Sequence, residues 1–221
     1  MNILVVSKTN FFKSKIKKKN FFFIQKKKDL TIKKIKKLKP KIIFFPHWSW
    51  KIKKSIIDSY LCIGFHATPL PYGRGGSPIQ NMIIRGFSNS KLCAFKIINK
   101  YDAGPIYKKV PVSLRGSADE IFINLYEKIC KIIIELCKKL PKPKKQIGKP
   151  KYFKRRKPEE SIIKIKSNIA NLYDFIRMLD ISEKNFPKAF LRNGKIKYEF
   201  SNAKKIGNSI NANVLIKKIN L

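Results

Sequence analysis

Four short runs of apolar residues within the first 65 positions constrain this chain more than any other feature of its sequence. They are Ile3 to Ser7 (ILVVS), Phe21 to Ile24 (FFFI), Ile42 to Phe45 (IIFF) and Leu61 to Phe65 (LCIGF). A strand with one wet face alternates apolar and polar residues. A run that does not alternate needs cover on both faces, as a strand has in a parallel sheet between layers of helices. Between the second and third runs, Leu30, Ile32, Ile35 and Leu38 recur at roughly helical spacing among lysines, with Asp29 where an N-cap belongs. This order of strand, helix and strand predicts an α/β fold built on a parallel sheet.

Further along, Ser77 to Gly86 reads as a short helix with Ser77 as cap and Pro78 in its first turn. Lys91 to Asn99 and Ile106 to Leu114 read as strands on either side of a turn, Lys100 to Pro105. Ser117 with Glu120 makes a capping box that opens a long helix to about Leu140. Pro141 to Tyr152 (PKPKKQIGKPKY) has no periodicity and many Pro and Lys, so the expected organisation is a main domain at 1–140, a linker at 141–152 and a small α+β domain at 153–221. In the last part, a helix is expected over Ile169 to Leu179, followed by short strand-like pieces.

The formal charge is +38, from 51 Lys and Arg against 13 Asp and Glu. Such an excess suits an anionic partner, but nearly all of it is lysine, as compositional drift also produces; drift spreads charge over every solvated face, whereas a binding surface concentrates it. Arginine occurs at only seven places, and four of these, Arg74, Arg155, Arg156 and Arg177, fall in three tight motifs. A chain that uses Lys wherever a positive charge suffices should keep Arg where a planar fork matters. Cys62, Cys93, Cys130 and Cys137 sit in apolar stretches without CxxC spacing, which suggests reduced thiols and no metal site. Lysines interrupt every candidate membrane span, and Met1 to Lys8 lacks the pattern of a signal peptide, so a cytoplasmic protein with no membrane partner is expected.

The segment from Gly64 to Gln80 (GFHATPLPYGRGGSPIQ) is the strongest signal for chemistry. It places His66 at the C-terminal end of a strand, where ligands bind in open parallel sheets. Asp102 lies in a tight turn, Asp102-Ala103-Gly104-Pro105-Ile106, that could bring a carboxylate to the same crevice. A carboxylate beside an imidazole fixes its tautomer and suits it to proton transfer; Asp in such a turn also serves simply as a turn former.

In motif order these residues resemble the folate-dependent formyltransferases, which include methionyl-tRNA formyltransferase, glycinamide ribonucleotide transformylase and sugar-nucleotide N-formyltransferases. That family carries Asn-x-His, Leu-Leu-Pro, a Tyr/Trp-Arg-Gly turn with a nearby Pro, and later Asp-x-Gly before a strand. Here His66, Pro69-Leu70-Pro71, Arg74-Gly75, Pro78-Ile79-Gln80 and Asp102 to Ile106 match in order and approximate spacing, and Phe153 to Ser161, Leu172 to Asp180 and Pro187 to Phe190 resemble the family's link to its C-terminal domain. The resemblance implies a Rossmann-like catalytic domain and 10-formyltetrahydrofolate as co-substrate, with no metal. It implies that an amine attacks the formyl carbon while His66 handles the proton and Asp102 orients His66. By the same resemblance, Leu70, Pro71, Gly104 and Pro105 would line the folate, and Arg74, Gly75 and Gln80 the acceptor.

Two departures bear on function. Gly64 stands where the family has the Asn, removing a donor, and His47, in Pro46-His47-Trp48-Ser49-Trp50 at the end of the preceding strand, is read as its replacement. Only 65 residues precede His66, fewer than usual in the family, so a trimmed sheet on the folate side is expected. The leading expectation is an N-formyltransferase acting on a small, nucleotide-linked amine such as an amino-sugar nucleotide. The alternatives are a methionyl-tRNA formyltransferase, with tRNA as partner, a catalytically silent binding module that keeps the fold, and a hydrolase releasing formate.

Overall fold

The computed structural model describes residues 1–164, 168–182 and 187–219. In chain order the elements are β1 (Ile3–Val6), α1 (Phe11–Lys15), β2 (Phe21–Ile24), α2 (Ile32–Leu38), β3 (Ile42–Phe45), α3 (Lys54–Ser59) and β4 (Leu61–His66). Next come β5 (Arg74–Gly75), α4 (Pro78–Ile83), β6 (Asn89–Lys96), β7 (Ile106–Ser113), α5 (Ala118–Lys138) and β8 (Tyr152–Phe153). The chain ends with α6 (Ile169–Arg177), β9 (Phe190–Asn193), β10 (Ile196–Ile206) and β11 (Ser209–Lys218). Two compact units result: the first holds Met1–Arg74, Lys91–Val112 and Asn124–Tyr152, the second Gly75–Ser90, Ser113–Ile123 and Phe153–Leu221.

The first unit is built on a six-stranded sheet in the order β2-β1-β3-β4-β6-β7. Strands β2, β1, β3 and β4 are parallel, and the four apolar runs supply them, every residue of β1 and β3 being buried. Leu4, Val6, Ile43, Phe45 and Cys62 from the strands close on Ile35 of α2 and Ile56 of α3. Phe12 of α1 meets Tyr126 of α5 with ring centroids 5.2 Å apart. Along α5, Leu125, Ile129, Ile132, Ile133 and Leu136 are buried at helical spacing. The expected Rossmann-like α/β architecture is therefore present, in mixed form: β6 runs antiparallel to β4, with His66 opposite Cys93. After His66 the chain makes no crossover back along the sheet; it enters β6 from the end at which it left β4, which forces the reversal.

The cap of α2 differs from the expectation. Asp29 falls in a single 3-10 turn, and the Thr31 hydroxyl accepts the bond from the Lys34 amide instead, so the helix starts at Ile32. The capping box at Ser117 and Glu120 is formed as read.

In the second unit, β9, β10 and β11 make an antiparallel sheet, with a register shift between Ser201 and Lys204. Its hairpin strands are long, 11 and 10 residues, where short pieces were expected. Helix α6 is capped by Asn168, whose side chain accepts from the Asn171 amide at 2.8 Å. Ser77 does not cap α4: it sits at φ 48°, and its hydroxyl accepts from the Arg156 amide. The arginines are used as their scarcity suggests. Arg177 pairs with Asp174 at 2.6 Å and donates to the carbonyls of Leu114 and Gly116, while Arg85 donates twice to Asn81 and lies over the Phe153 ring at 4.5 Å. Arg156 lies over Phe175 and donates to the Glu160 carbonyl.

Candidate functional site

His66 ends β4 on the C-terminal edge of the parallel strands and is 6 % exposed. Its Nε2 lies 2.7 Å from the Gly73 carbonyl oxygen. An oxygen there can only accept, so Nε2 carries the proton and donates. Nδ1 then faces the Asp102 carboxylate, with Oδ2 at 3.7 Å, beyond hydrogen-bond reach. The structure thus brings together the imidazole and carboxylate that the sequence puts 36 residues apart.

The turn that carries Asp102 is held from both sides. Asp102 has φ 49°, a left-handed conformation that Asp tolerates better than most residues. Two residues on, a Cβ at Gly104 would lie 1.6 Å from the Lys96 carbonyl oxygen, so only glycine lets the turn approach β6 this closely. The Lys96 amide donates to the Pro105 carbonyl at 2.8 Å, completing the attachment. Leu70 is buried with Cys93 and Phe95; the Leu70–Pro71 peptide is cis, and the Pro71 carbonyl accepts from the Lys151 amide.

Arg74 is buried and directs its fork inward. Nε and Nη2 both donate to Gln146 Oε1, at 3.1 and 2.7 Å, and Nη1 reaches the Tyr152 hydroxyl at 3.4 Å. Gln146 also donates through Nε2 to the carbonyls of Asp102 and Gly104, both at 2.8 Å. Sequence reasoning passed over this residue because an unperiodic Lys/Pro stretch carries no contact signal; its one hint is a long neutral amide among lysines.

Gly64 has a structural counterpart to the missing Asn. A Cβ at this position would meet Phe95 Cζ at 2.9 Å and Ile97 Cγ1 at 3.1 Å, so those two side chains fill the space a residue here would enter. His47 lies two residues beyond Phe45, the strand partner of Gly64. It has φ 49°, and its ring meets Tyr126 edge-on at 5.4 Å between centroids. Of the sequence-chosen residues, His66, Asp102, His47, Leu70, Pro71, Gly104, Pro105 and Arg74 belong to the first unit. Gly75 and Gln80 belong to the second, where Gly75 takes φ 104° and buried Gln80 donates to the Met178 carbonyl at 3.5 Å. Burial pushes the Cys93 thiol up to about 11 and that of Cys62 to about 12, so both remain protonated and weakly reactive at neutral pH. Among the described residues no three His, Cys, Asp or Glu side chains are grouped to hold a metal ion, and no helix is long and apolar enough to cross a membrane.

Comparison with known proteins gives a consistent set of relatives. A family model described as the C-terminal domain of methionyl-tRNA formyltransferase matches residues 158–217. A methionyl-tRNA formyltransferase of Mycoplasma genitalium is 32 % identical over 143 residues, covering 61 % of this chain and 46 % of the relative. The chain spans about half the length of the curated relatives it matches. A solved methionyl-tRNA formyltransferase from Clostridium thermocellum superposes with a TM-score of 0.93 and 40 % identity, covering 99 % of each chain. A sugar N-formyltransferase from a Shewanella species has a TM-score of 0.65 at 15 % identity, covering 100 % of this chain and 98 % of that one, a likeness of fold alone.

Proposed function

We propose that this chain, which belongs to the folate-dependent formyltransferase family, moves a formyl group from 10-formyltetrahydrofolate to the amine of an aminoacyl-tRNA. The observation that carries the reaction is the buried His66 held between the Gly73 carbonyl and the Asp102 carboxylate at the edge of the sheet. The acceptor follows from the relatives: those at 32 and 40 % identity are methionyl-tRNA formyltransferases, and the likeness to a sugar N-formyltransferase is remote. This reverses the sequence-based preference for an amino-sugar nucleotide.

In the proposed step the amine nitrogen forms a bond to the formyl carbon, and the carbonyl π pair moves to oxygen. When the tetrahedral species collapses, the bond from carbon to N10 of the folate breaks and N10 keeps the pair. The proton lost by the amine is passed to N10 by His66. Nε2 is the ring nitrogen turned away from Asp102, so the transfer requires substrate to take the place of the Gly73 carbonyl and the ring's resting proton to sit on Nδ1, beside Asp102, leaving Nε2 free to accept and then release the amine proton. The oxyanion needs a donor that Gly64 does not supply. His47, on the adjoining strand end, is assigned that role, and Leu70, Pro71, Gly104 and Pro105 the folate side. Arg74 is assigned to the acceptor side, and residues 153–221 to the domain that meets the tRNA.

The test incubates purified protein with 10-formyltetrahydrofolate and either charged initiator tRNA or amino-sugar nucleotides, following tetrahydrofolate release in wild type and His66→Ala. Release that needs the charged tRNA and falls at least about 100-fold in the variant is expected, in line with loss of a general base. Release that needs the sugar nucleotide overturns the acceptor. Release without any acceptor indicates a hydrolase. No release, with no folate bound, leaves the binding-module reading, which the filling of the Gly64 position by Phe95 and Ile97 favours.

A further inference from the structure

The amide of Gln146 is saturated by two motifs far from it in sequence. Its oxygen takes both Arg74 donors, and its nitrogen serves the carbonyls on either side of Ala103. The amide cannot be turned over: a flipped group would set NH2 against a guanidinium and oxygen against two carbonyl oxygens. Tyr152 steadies the arginine from the other side, through its hydroxyl and with its ring 6.0 Å from Cζ. The cation polarises the amide, which strengthens the two bonds that Nε2 donates.

Those bonds end on the turn whose geometry decides where a carboxylate lies. Asp102 is held at φ 49°, a left-handed conformation that even Asp, which tolerates it better than most residues, adopts less readily than glycine. Two pinned carbonyls, at 102 and 104, offset that tendency to relax. If the turn opened, the Asp102 carboxylate would move with it relative to His66 Nδ1, which it faces at 3.7 Å. We propose that Gln146 is a positioning residue for the His66–Asp102 pair, acting through the backbone of the 102–104 turn with Arg74 as its anchor. The proposal rests on the formyl-transfer reading for its kinetic consequence and on geometry alone for its spectroscopic one.

Two substitutions separate the halves of the amide. Gln146→Glu keeps an acceptor for Arg74 but sets an oxygen against the two carbonyls; Gln146→Leu removes both halves. With 10-formyltetrahydrofolate and charged initiator tRNA, kcat is expected to fall about 10- to 100-fold in both variants, as for a misplacement of roughly 1 Å, with a much smaller change in KM. The chain has only two histidines, so the ring 15N signals of His66 can be followed beside those of His47 as an internal control. The His66 Nδ1 signal, which faces the carboxylate, should shift in both variants, while the Nε2 signal, fixed by the Gly73 carbonyl, and those of His47 stay in place. Wild-type kcat in Gln146→Glu would show that only the Arg74 contact matters and overturn the proposal. Unchanged His66 signals in a folded variant with reduced kcat would overturn it too, reducing Gln146 to a structural tie. If the wild type has no transferase activity, the formyl-transfer reading fails and the nitrogen signals alone decide the positioning role. If Gln146→Leu does not fold, Gln146→Glu, which keeps a polar partner for Arg74, decides both measurements.

Discussion

Both main sheets contain runs of apolar residues, and these runs meet water very differently. In β3 all four residues, Ile42 to Phe45, are buried. In β11, Val214, Leu215 and Ile216 are equally apolar, yet 48, 55 and 61 % exposed. The first sheet has α2 and α3 closed over its strands, whereas the second packs on α6 and leaves most of its outer strand solvated. Apolar content alone therefore does not make a core; the layers laid against a strand do. The candidate site lies on the buried sheet, where His66, at a strand end, is enclosed and bonded to the Gly73 carbonyl.

The sharpest test of this contrast deletes one large side chain from each sheet. Phe44→Ala should lower unfolding stability by about 3 to 5 kcal/mol, as fully buried aromatics do, whereas Ile216→Ala should stay within about 0.5 kcal/mol. Urea midpoints at unchanged m would check both, and equal costs would break the comparison. A middle-sized effect is expected where the buried sheet resists addition. Gly64→Asn should cost about 1 to 3 kcal/mol by overpacking against Phe95 and Ile97. Adding Phe95→Leu should recover part of that cost, a coupling visible in a double-mutant cycle.

The smallest effect belongs to the exposed sheet and depends on pH. Burial raises the Glu199 carboxyl, but the hydrogen bonds and charges of Lys197 and Lys217 outweigh it and hold the group below the ordinary glutamate range. A carboxyl lowered in the folded state stabilises the fold above its unfolded pKa, and that contribution is lost as pH falls through the folded value. Thermal melts should therefore lose a small increment in acid, below about pH 4.3, and Glu199→Gln should abolish that increment. An identical acid response in the variant would remove Glu199 as its source.

What could be read in the sequence follows the same division. The runs ILVV, FFFI and IIFF were legible as strands because burial on both faces leaves no polar residue to interrupt them. The hairpin β10–β11 was read as short pieces, since Ser201 to Lys205 breaks its alternation at the register shift. Helices α1 and α3, five and six residues long, are too short for a helical period to show. Asp29 and Ser77 looked like caps by residue type; which hydroxyl reaches an amide is settled by backbone angles the sequence does not display. In the site, His66 and Asp102 could be chosen from local motifs. Gln146 could not, because its partners lie 72 and 44 residues away and no pattern in its own segment marks them.

Gly64 and Phe95 interlock: neither position can change size without the other. An asparagine arriving alone at 64 meets a ring already occupying its space, and a smaller residue arriving alone at 95 opens a void behind Leu70. A larger residue at 64 therefore calls for a smaller one at 95, and a donor for this part of the crevice is more easily presented from the neighbouring strand end than from position 64 itself.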